Sequence, residues 1–468
     1  MTTLRSTNPA TGETLAEYPS LTPEQLERRL ALAAEAAPRW RRTPVSERAA
    51  VVARLAALLD ADKERLGRLM TLEMGKPIQA AIDEAAKCAE GCRFYAEHGP
   101  GFIADSVIDD EGHRSFVTYQ PLGVVLAIMP WNFPFWQVIR FVAPALVAGN
   151  VGLLKHASNV PGCALELESL VKRAGAPDGV FQALLIGSDA VPALLADPRV
   201  AAATLTGSEG AGRSVAQHAG EHLKKTVLEL GGSDAFVVMP SADLDRAVAT
   251  AVKARTINNG QSCIAAKRFI VHESIADRFL ERFSAGMQGL RVGDPLEPAT
   301  QLGPLASARL AEELEAQVQE SVTQGARLVC GGRRDAPDSA FFPPTVLTDI
   351  PRESPAYRDE LFGPVGCVFV ARDVGDAIRI ANDTRFGLGS SAWTNDPTEQ
   401  ERFVRELDAG SVFVNDMVVS DPRFPFGGVK ASGYGRELSD VGLREFTNVK
   451  TVRVRVGAGA GAASRDTE

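Results

Sequence analysis

The chain has 468 residues, too many for one ordinary hydrophobic core, so two or three domains are expected. Hydrophobic residues make up 45% and charged residues 23%, a balance that excludes a disordered or membrane-embedded chain. The 50 basic and 59 acidic side chains leave a net charge of −9 with no basic stripe, which argues against a nucleic-acid partner.

In chain order, the opening MTTLRSTNPATGETL (1–15) lacks the apolar centre of a signal peptide, and six cysteines are too sparse for a disulfide scaffold. Both point to a reducing cytoplasm. Thr22, Pro23 and Gln25 supply an N-cap, a first-turn proline and a capping-box partner for a helix running to about Trp40. An alanine- and leucine-rich helical region follows, from about Ser46 to His98. Within it Cys88 and Cys92 share a helix face, and with no second pair or histidine cluster nearby a packed face is expected and no metal. Residues 115–139 carry no charge, but Pro121, Pro130 and Pro134 interrupt them, which makes a membrane span a poor reading and a buried site a good one.

Short β-branched runs then alternate with helical patterns. Strands are expected at 124–129, 151–155, 201–205, 234–239, 267–272, 367–371 and 411–415, and helices at 160–174, 210–222, 243–257, 273–289 and 308–324. This alternation implies an α/β fold of two open, mostly parallel sheets covered by helices. The tail GAGAGAASRDTE (457–468) has nothing to bury and is expected to be disordered.

Ligands in such folds sit at the carboxyl ends of strands, and four segments are expected to close strands with unusual chemistry. PWNFPFW (130–136) places the Asn132 amide among rings and prolines. LTGSEGAG (205–212) opens a helix, with Gly207, Gly210 and Gly212 allowing close backbone approach and Ser208 adding a hydroxyl where free N–H groups suit a pyrophosphate. LELGGSDAF (228–236) puts Glu229 in apolar surroundings that raise a carboxyl toward neutrality, as a general base needs. DELFGPV (359–365) pairs Glu360, able to accept from ribose hydroxyls, with Phe362, able to support a flat heterocycle. Each segment alone reads equally well as plain structure. Cys263, in NNGQSCIAAKR (258–268), is ambiguous in the same way: a packed thiol, or one that small neighbours leave room to reach.

Taken together, Asn132, Lys155, Gly207-Ser208, the ELGG of 229–232, the GQSC of 260–263 and Glu360-x-Phe362 resemble the NAD(P)-dependent aldehyde dehydrogenase family, in the family's order. The resemblance runs from NPATGE (8–13) to PFGGVKASGYGRE (425–437), and within the family it is strongest to bacterial succinate-semialdehyde dehydrogenases with KHA where most members have KPA. It implies a Rossmann-like dinucleotide-binding domain (1–102 and 122–231), a catalytic domain (232–431), and a small β arm (103–121 with 446–456) that makes a homodimer or homotetramer. Cys263 is then the nucleophile, Asn132 and the Cys263 N–H hold the oxyanion, and Glu229 is the base, with Lys155 beside them. Trp131, Lys155, Ser158, Gly207, Ser208, Gly212, Leu230, Glu360 and Phe362 fall at cofactor-contacting positions. Phe135, Trp136, Arg140, Ser262, Ser420 and Phe426 fall at substrate positions. Glu437 matches an acidic position of the last motif.

The resemblance also bears on specificity. NAD-preferring members often carry a glutamate where Ser158 stands, so both NAD and NADP are expected to be accepted. A carboxylate-ended aldehyde needs a buried cation, and Arg140 stands where succinate-semialdehyde dehydrogenases place one. Their second arginine is replaced by Ile257, with Arg255 two residues earlier, so medium aliphatic or aromatic aldehydes remain an alternative. Acyl transfer to coenzyme A is a rival that the presence of Glu229 disfavours.

Overall fold

The computed structural model describes residues 3–455. Two large sheets organise it. The first has six strands in the order Gly433–Tyr434, Lys225–Glu229, Val200–Thr206, Val124–Met129, Val151–His156, Phe181–Ala183. Five of them are parallel, and the first strand in the chain lies at the centre with later strands added on either side. That is the strand order of a dinucleotide-binding fold, and its crevice opens beyond Val124–Met129 and Val200–Thr206, where the winding reverses. Both strands are apolar runs buried on two faces, as a helix-covered parallel sheet requires.

The second sheet has seven strands, in the order Arg327–Cys330, Thr345–Thr348, Val365–Ala371, Ala266–His272, Asp234–Val238, Gly389–Trp393, Ser411–Val414, with only the first antiparallel. A third, three-stranded sheet pairs Thr447–Arg455 with His113–Pro121 in an unbroken nine-residue antiparallel register, and adds Ser106–Ile108. A hairpin of Thr3–Thr7 with Thr14–Pro19 starts the chain. The α/β fold with two doubly wound sheets and a β arm is thus the observed one. The tail at 457–468 lies outside the described residues.

The helical region beginning near Ser46 is three helices, Val45–Ala61, Lys63–Met74 and Ile78–Phe102; Gly75 ends the second in the left-handed conformation. Cys88 and Cys92 lie fully buried on the last of them. The uncharged stretch runs into the helix Trp136–Ala148, every residue of which is buried. Its exposed N-terminal N–H groups are met by a carboxylate from a neighbouring helix: Glu84 accepts from the N–H groups of Phe135 and Trp136, 2.9 Å each, and pairs with buried Lys76. Among the described residues no helix is long and apolar enough to cross a membrane.

Candidate active site

The thiol does not follow a strand. Cys263 precedes Ala266–His272 and Glu360 precedes Val365–Ala371, so both stand at the amino edge of the seven-stranded sheet. Asn132 and Ser208 stand at the carboxyl edge of the six-stranded one. The rule that ligands sit beyond carboxyl ends therefore holds for one sheet and fails for the other. The site lies where opposite edges of the two sheets face each other, and Glu229 to Gly232 is the chain crossing between them.

The loop bearing the thiol is wound unusually. Asn258, Asn259 and Gly260 are all left-handed (φ 55°, 58° and 75°), a run that only asparagine and glycine tolerate cheaply. Side-chain amides hold it: Asn259 donates to the carbonyls of Gly75 (2.9 Å) and Pro304 (2.8 Å), and Asn258 donates to those of Asn132 (2.7 Å) and Gln261 (3.0 Å). Arg255, wholly buried, donates to the Gly260 carbonyl at 2.6 Å, so this arginine braces the loop and does not face substrate. The small residues near the thiol do not create free space, contrary to the sequence reading. A Cβ on Gly260 would collide with the Gly363–Pro364 backbone, and one on Gly232 would lie 2.5 Å from the Cys263 carbonyl. They are small because backbones touch there.

Space exists on the other side. Cys263 opens onto a cavity of about 660 Å³ walled by Phe133, Trp136, Ile257, Ser262, Val418 and Phe426. Burial pushes the thiol up to about 12, against the opposing pull of Lys267 and Arg140, so it rests protonated. Lys267 donates to the carbonyls of Ser262 (2.7 Å) and Cys263 (2.8 Å) and pairs with Glu360 at 3.1 Å. Asn132 donates one amide hydrogen to the Gln261 carbonyl at 3.0 Å, two residues before the thiol, which leaves the other for an oxyanion; its own oxygen accepts from Gln137 at 3.1 Å.

Glu229 is not on the cavity wall. It ends the strand Lys225–Glu229, 2% exposed, beneath Gly427, and neither carboxylate oxygen has a hydrogen-bond partner among the described residues. Burial, then Glu437, raises it well above the usual carboxylate range. Glu437 is raised too, by burial, but it contacts the Arg140 guanidinium. Two carboxyls lie near the Arg140 and Arg436 guanidiniums, but only Glu437 contacts one of them, so Glu437 is the one to ionise and Glu229 keeps the proton. The motif at 425–437 builds the pocket. Gly433–Tyr434 pairs with Lys225–Glu229, and Ser432 Oγ donates to the Gly231 carbonyl at 2.6 Å.

Arg140 joins this pocket to the cavity. It pairs with Glu437, lies over the Phe426 ring at 4.6 Å, and is 4% exposed. It also lines the cavity onto which Cys263 opens, so it stands where a substrate carboxylate was expected to meet it while being held from behind by Glu437. Removing its charge leaves Glu437 buried and unpaired. Arg140→Leu is expected to destabilise the fold by about 3–5 kcal/mol in urea unfolding. An unchanged unfolding midpoint would show that the pair with Glu437 adds nothing to stability.

Phe135 is a second correction. It is fully buried in the core, and Phe133, two residues earlier, is the ring on the cavity wall. Trp136 and Phe426 do line the cavity, as do Ser262 and Ser420. A Cβ on Gly212 would meet Leu230 at 2.7 Å, so this glycine lets the helix Glu209–Glu221 seat closely against Leu230. His156 is turned inward within reach of the Pro134 carbonyl (2.9 Å), with burial holding its ring down to about 4, and so ties the Asn132 loop to the adjacent strand.

The remaining positions frame the crevice at the strand-order reversal. Ser208 caps Glu209–Glu221, its hydroxyl accepting from the Ala211 N–H at 3.4 Å, and Gly207 donates to the Glu229 carbonyl at 2.9 Å. Lys155 is half-buried with no ion pair among the described residues, and burial lowers it below the ordinary lysine range. Ser158 is exposed in the turn after Val151–His156. Trp131 and Phe362 meet edge to face, centroids 5.9 Å apart. Gly231 is glycine because a Cβ would lie 2.5 Å from a Glu360 carboxylate oxygen. An unpaired cation, a helix N-terminus and a half-buried aromatic pair at a strand-order switch point fit a dinucleotide.

Sequence reasoning missed Lys76, Glu84, Lys87 and Lys267. The available signal was charge on an apolar helix face: Glu84 and Lys87 interleave with Ala81, Ala85, Cys88 and Cys92.

Comparison with known proteins agrees with this geometry. The model of the aldehyde dehydrogenase family matches residues 1–452. The succinate-semialdehyde dehydrogenase [NADP(+)] 1 of Mycobacterium tuberculosis is 55% identical over 95% of this chain and 98% of its own, and the Mycobacterium leprae enzyme of similar name is also 55% identical. The crystal structure of a Streptococcus pyogenes succinic semialdehyde dehydrogenase in complex with NADP+ superposes with a TM-score of 0.94 at 36% identity, covering 96% of this chain and 99% of that one. With a thiol, an amide and a dinucleotide crevice meeting between two such sheets, and a family match across nearly all its length, this chain belongs to the aldehyde dehydrogenase family and is an NAD(P)-dependent aldehyde dehydrogenase.

Proposed function

We propose that this protein oxidises succinate semialdehyde to succinate, with NADP as its preferred cofactor and NAD also accepted. The observation that carries the reading is 55% identity across nearly full length to enzymes named for that reaction. The exposed Ser158 supports the cofactor choice, since a hydroxyl there accommodates a 2′-phosphate that a carboxylate would repel.

Residues 1–102 and 122–231 form the cofactor-binding domain and 232–431 the catalytic one. Lys155 and Glu360 hold ribose hydroxyls, and Ser208 with Gly207 faces the pyrophosphate. Cys263 Sγ loses its proton to solvent water entering the cavity and attacks the aldehyde carbon, and the oxyanion accepts from the Cys263 N–H and the free hydrogen of Asn132. One such donor contributes about 3 kcal/mol. A nicotinamide held beside Trp131 and Phe362 would supply the hydride acceptor. Glu229, swung from its resting pocket, then draws a proton from the water that hydrolyses the Cys263 thioester. A base held for this step favours water over coenzyme A as the acceptor. The exposed edge of Thr447–Arg455, carrying Val449 and Val454, pairs subunits into a homo-oligomer, and six unpaired cysteines suit the cytoplasm.

Steady-state kinetics on succinate semialdehyde and butanal with both cofactors test the reading. A kcat/KM for butanal equal to or above that for succinate semialdehyde would end it. Ser158→Glu is expected to lower kcat/KM for NADP at least about tenfold, roughly 1.4 kcal/mol, with a far smaller change for NAD. Equal sensitivity of the two cofactors would remove Ser158 from the 2′-phosphate.

A further inference from the structure

The strand Ala266–His272 begins with two neighbouring cations, Lys267 and Arg268, both buried (1% and 0% exposed). Side chains alternate along a strand, so the two serve opposite faces. Arg268 is used for packing: it donates to the Ile380 carbonyl at 2.7 Å and lies 4.9 Å from the centre of the Tyr357 ring. Lys267 turns the other way, toward the loop that carries the thiol. An ammonium has three hydrogens, and three acceptors surround this one: the carbonyls of Ser262 (2.7 Å) and Cys263 (2.8 Å), and Glu360 Oε1 at 3.1 Å. No hydrogen is left over for substrate.

Those contacts act on the reacting residue in two ways. The Ser262 carbonyl and the Cys263 N–H belong to one peptide plane, and in a trans peptide they point in opposite directions. Holding that carbonyl on the ammonium therefore fixes the direction of the N–H and polarises it as a donor. The charge itself acts on the sulfur. Burial raises the thiol, and of the charged groups around it Lys267 pulls it down most, followed by Arg140, while Glu360 and Asp234 oppose them. Lys267 in turn faces Glu360, Asp234 and the like charge of Arg255, and burial holds it below the ordinary lysine range. A buried ammonium is costly unless paired, and among the described residues Glu360 is the one carboxylate in contact with it.

We propose that Lys267 is a positioning residue for the nucleophile, aiming the Cys263 N–H through the Ser262 carbonyl and supplying positive charge that favours the Cys263 thiolate. The assignment rests on the reading of Cys263 as the nucleophile, which it deepens. Glu360 has a double part in it. Its carboxylate keeps the ammonium in place and at the same time weakens the effect of that charge on the sulfur, so Lys267 and Glu360 act on the thiol in opposite senses.

The test is the pH dependence of Cys263 alkylation by iodoacetamide, followed by peptide mass spectrometry without added cofactor in the wild type, Lys267→Met and Glu360→Gln. Removing a cation disfavours the anion, so in Lys267→Met the rise of rate with pH is expected to move to higher pH. At about pH 8 the rate should fall at least about threefold, the loss of thiolate being partly offset by the greater nucleophilicity of a more basic sulfur. Glu360→Gln keeps the shape of the side chain and removes the opposing charge. It is expected to move the profile to lower pH and to raise the rate at least about twofold. A clamp with a structural role alone would be loosened by both substitutions and would send both rates the same way. Rates that move together, or that stay at the wild-type value, overturn the assignment. If Lys267→Met does not fold, Glu360→Gln decides: acceleration supports the assignment, and slowing or no change overturns it. Dehydrogenase turnover that survives complete alkylation of Cys263 instead overturns the nucleophile reading, so the two failures are distinguishable.

Discussion

Cys263→Ala is expected to lose at least about a thousandfold in aldehyde oxidation while still binding NADP with near wild-type affinity. The size of the effect follows from the absence of a substitute nucleophile. Cys88, Cys92, Cys163 and Cys367 are buried in packed interiors, and Cys330 lies on the edge strand Arg327–Cys330 of the seven-stranded sheet. Ser262, adjacent to the thiol, is far less acidic and fully buried. Cofactor binding is expected to survive because the residues proposed for it lie on the other sheet or on the Glu360 segment, and because the loop around residue 263 is held by Asn258, Asn259 and Arg255 rather than by the sulfur. Reduced-cofactor absorbance measures the first quantity and titration calorimetry the second. Retained turnover would remove Cys263 from the chemistry; lost NADP binding would mean the thiol also organises the crevice.

The fold was largely legible from the chain because its sheets are parallel and buried. A strand covered on both faces must be apolar throughout, and Val124–Met129, Val151–His156 and Val365–Ala371 stand out as such runs between helical patterns. Elements whose composition contradicts their state were not legible. Gly389–Trp393 is GSSAW, small and polar, yet it is an interior strand because its hydroxyls bond to backbone, Ser390 to the Ser411 carbonyl at 3.1 Å. The helix Trp136–Ala148, β-branched in part and buried throughout, has only Gln137 and Arg140 as polar side chains and no polar face to mark its period, so residues 136–148 gave no helical signal.

The site was legible in its members and not in their arrangement. Glycine doublets and an isolated thiol announce special backbone, but whether they create room or contact depends on what lies opposite, and Gly363, Glu360 and the Cys263 carbonyl come from distant chain. Arg140 has the same ambiguity. Its chemistry suits a substrate carboxylate and a buried glutamate equally, and only the return of the motif at 425–437 over Lys225–Glu229 brings Glu437 to it. Lys87 is the converse case: charge on the apolar side of a helix is visible in sequence, but the cavity it faces is not.

Glu229→Gln is expected to convert the enzyme into one that turns over once. The thiol can still attack and hydride can still leave, so reduced cofactor should appear in a burst stoichiometric with enzyme. Hydrolysis of the thioester then lacks its base, and steady-state turnover should fall by about 10²–10⁴-fold. Intact-mass measurement should show the acyl group on Cys263. The resting pocket adds a pH signature. Glu229 rests protonated because burial and the neighbouring Glu437 raise it, and only its ionised form accepts a proton from water. Deacylation in the wild type should therefore accelerate as pH rises through that raised value, and the glutamine variant should lose the dependence along with the rate. The substitution itself should cost little stability. A neutral amide replaces a neutral carboxyl of the same shape, and the Arg140–Glu437 pair is left in place. If the burst vanished together with steady turnover in a folded variant, Glu229 would instead be needed to deprotonate the thiol, and the lone cationic support of Lys267 and Arg140 would be too weak to release that proton unaided.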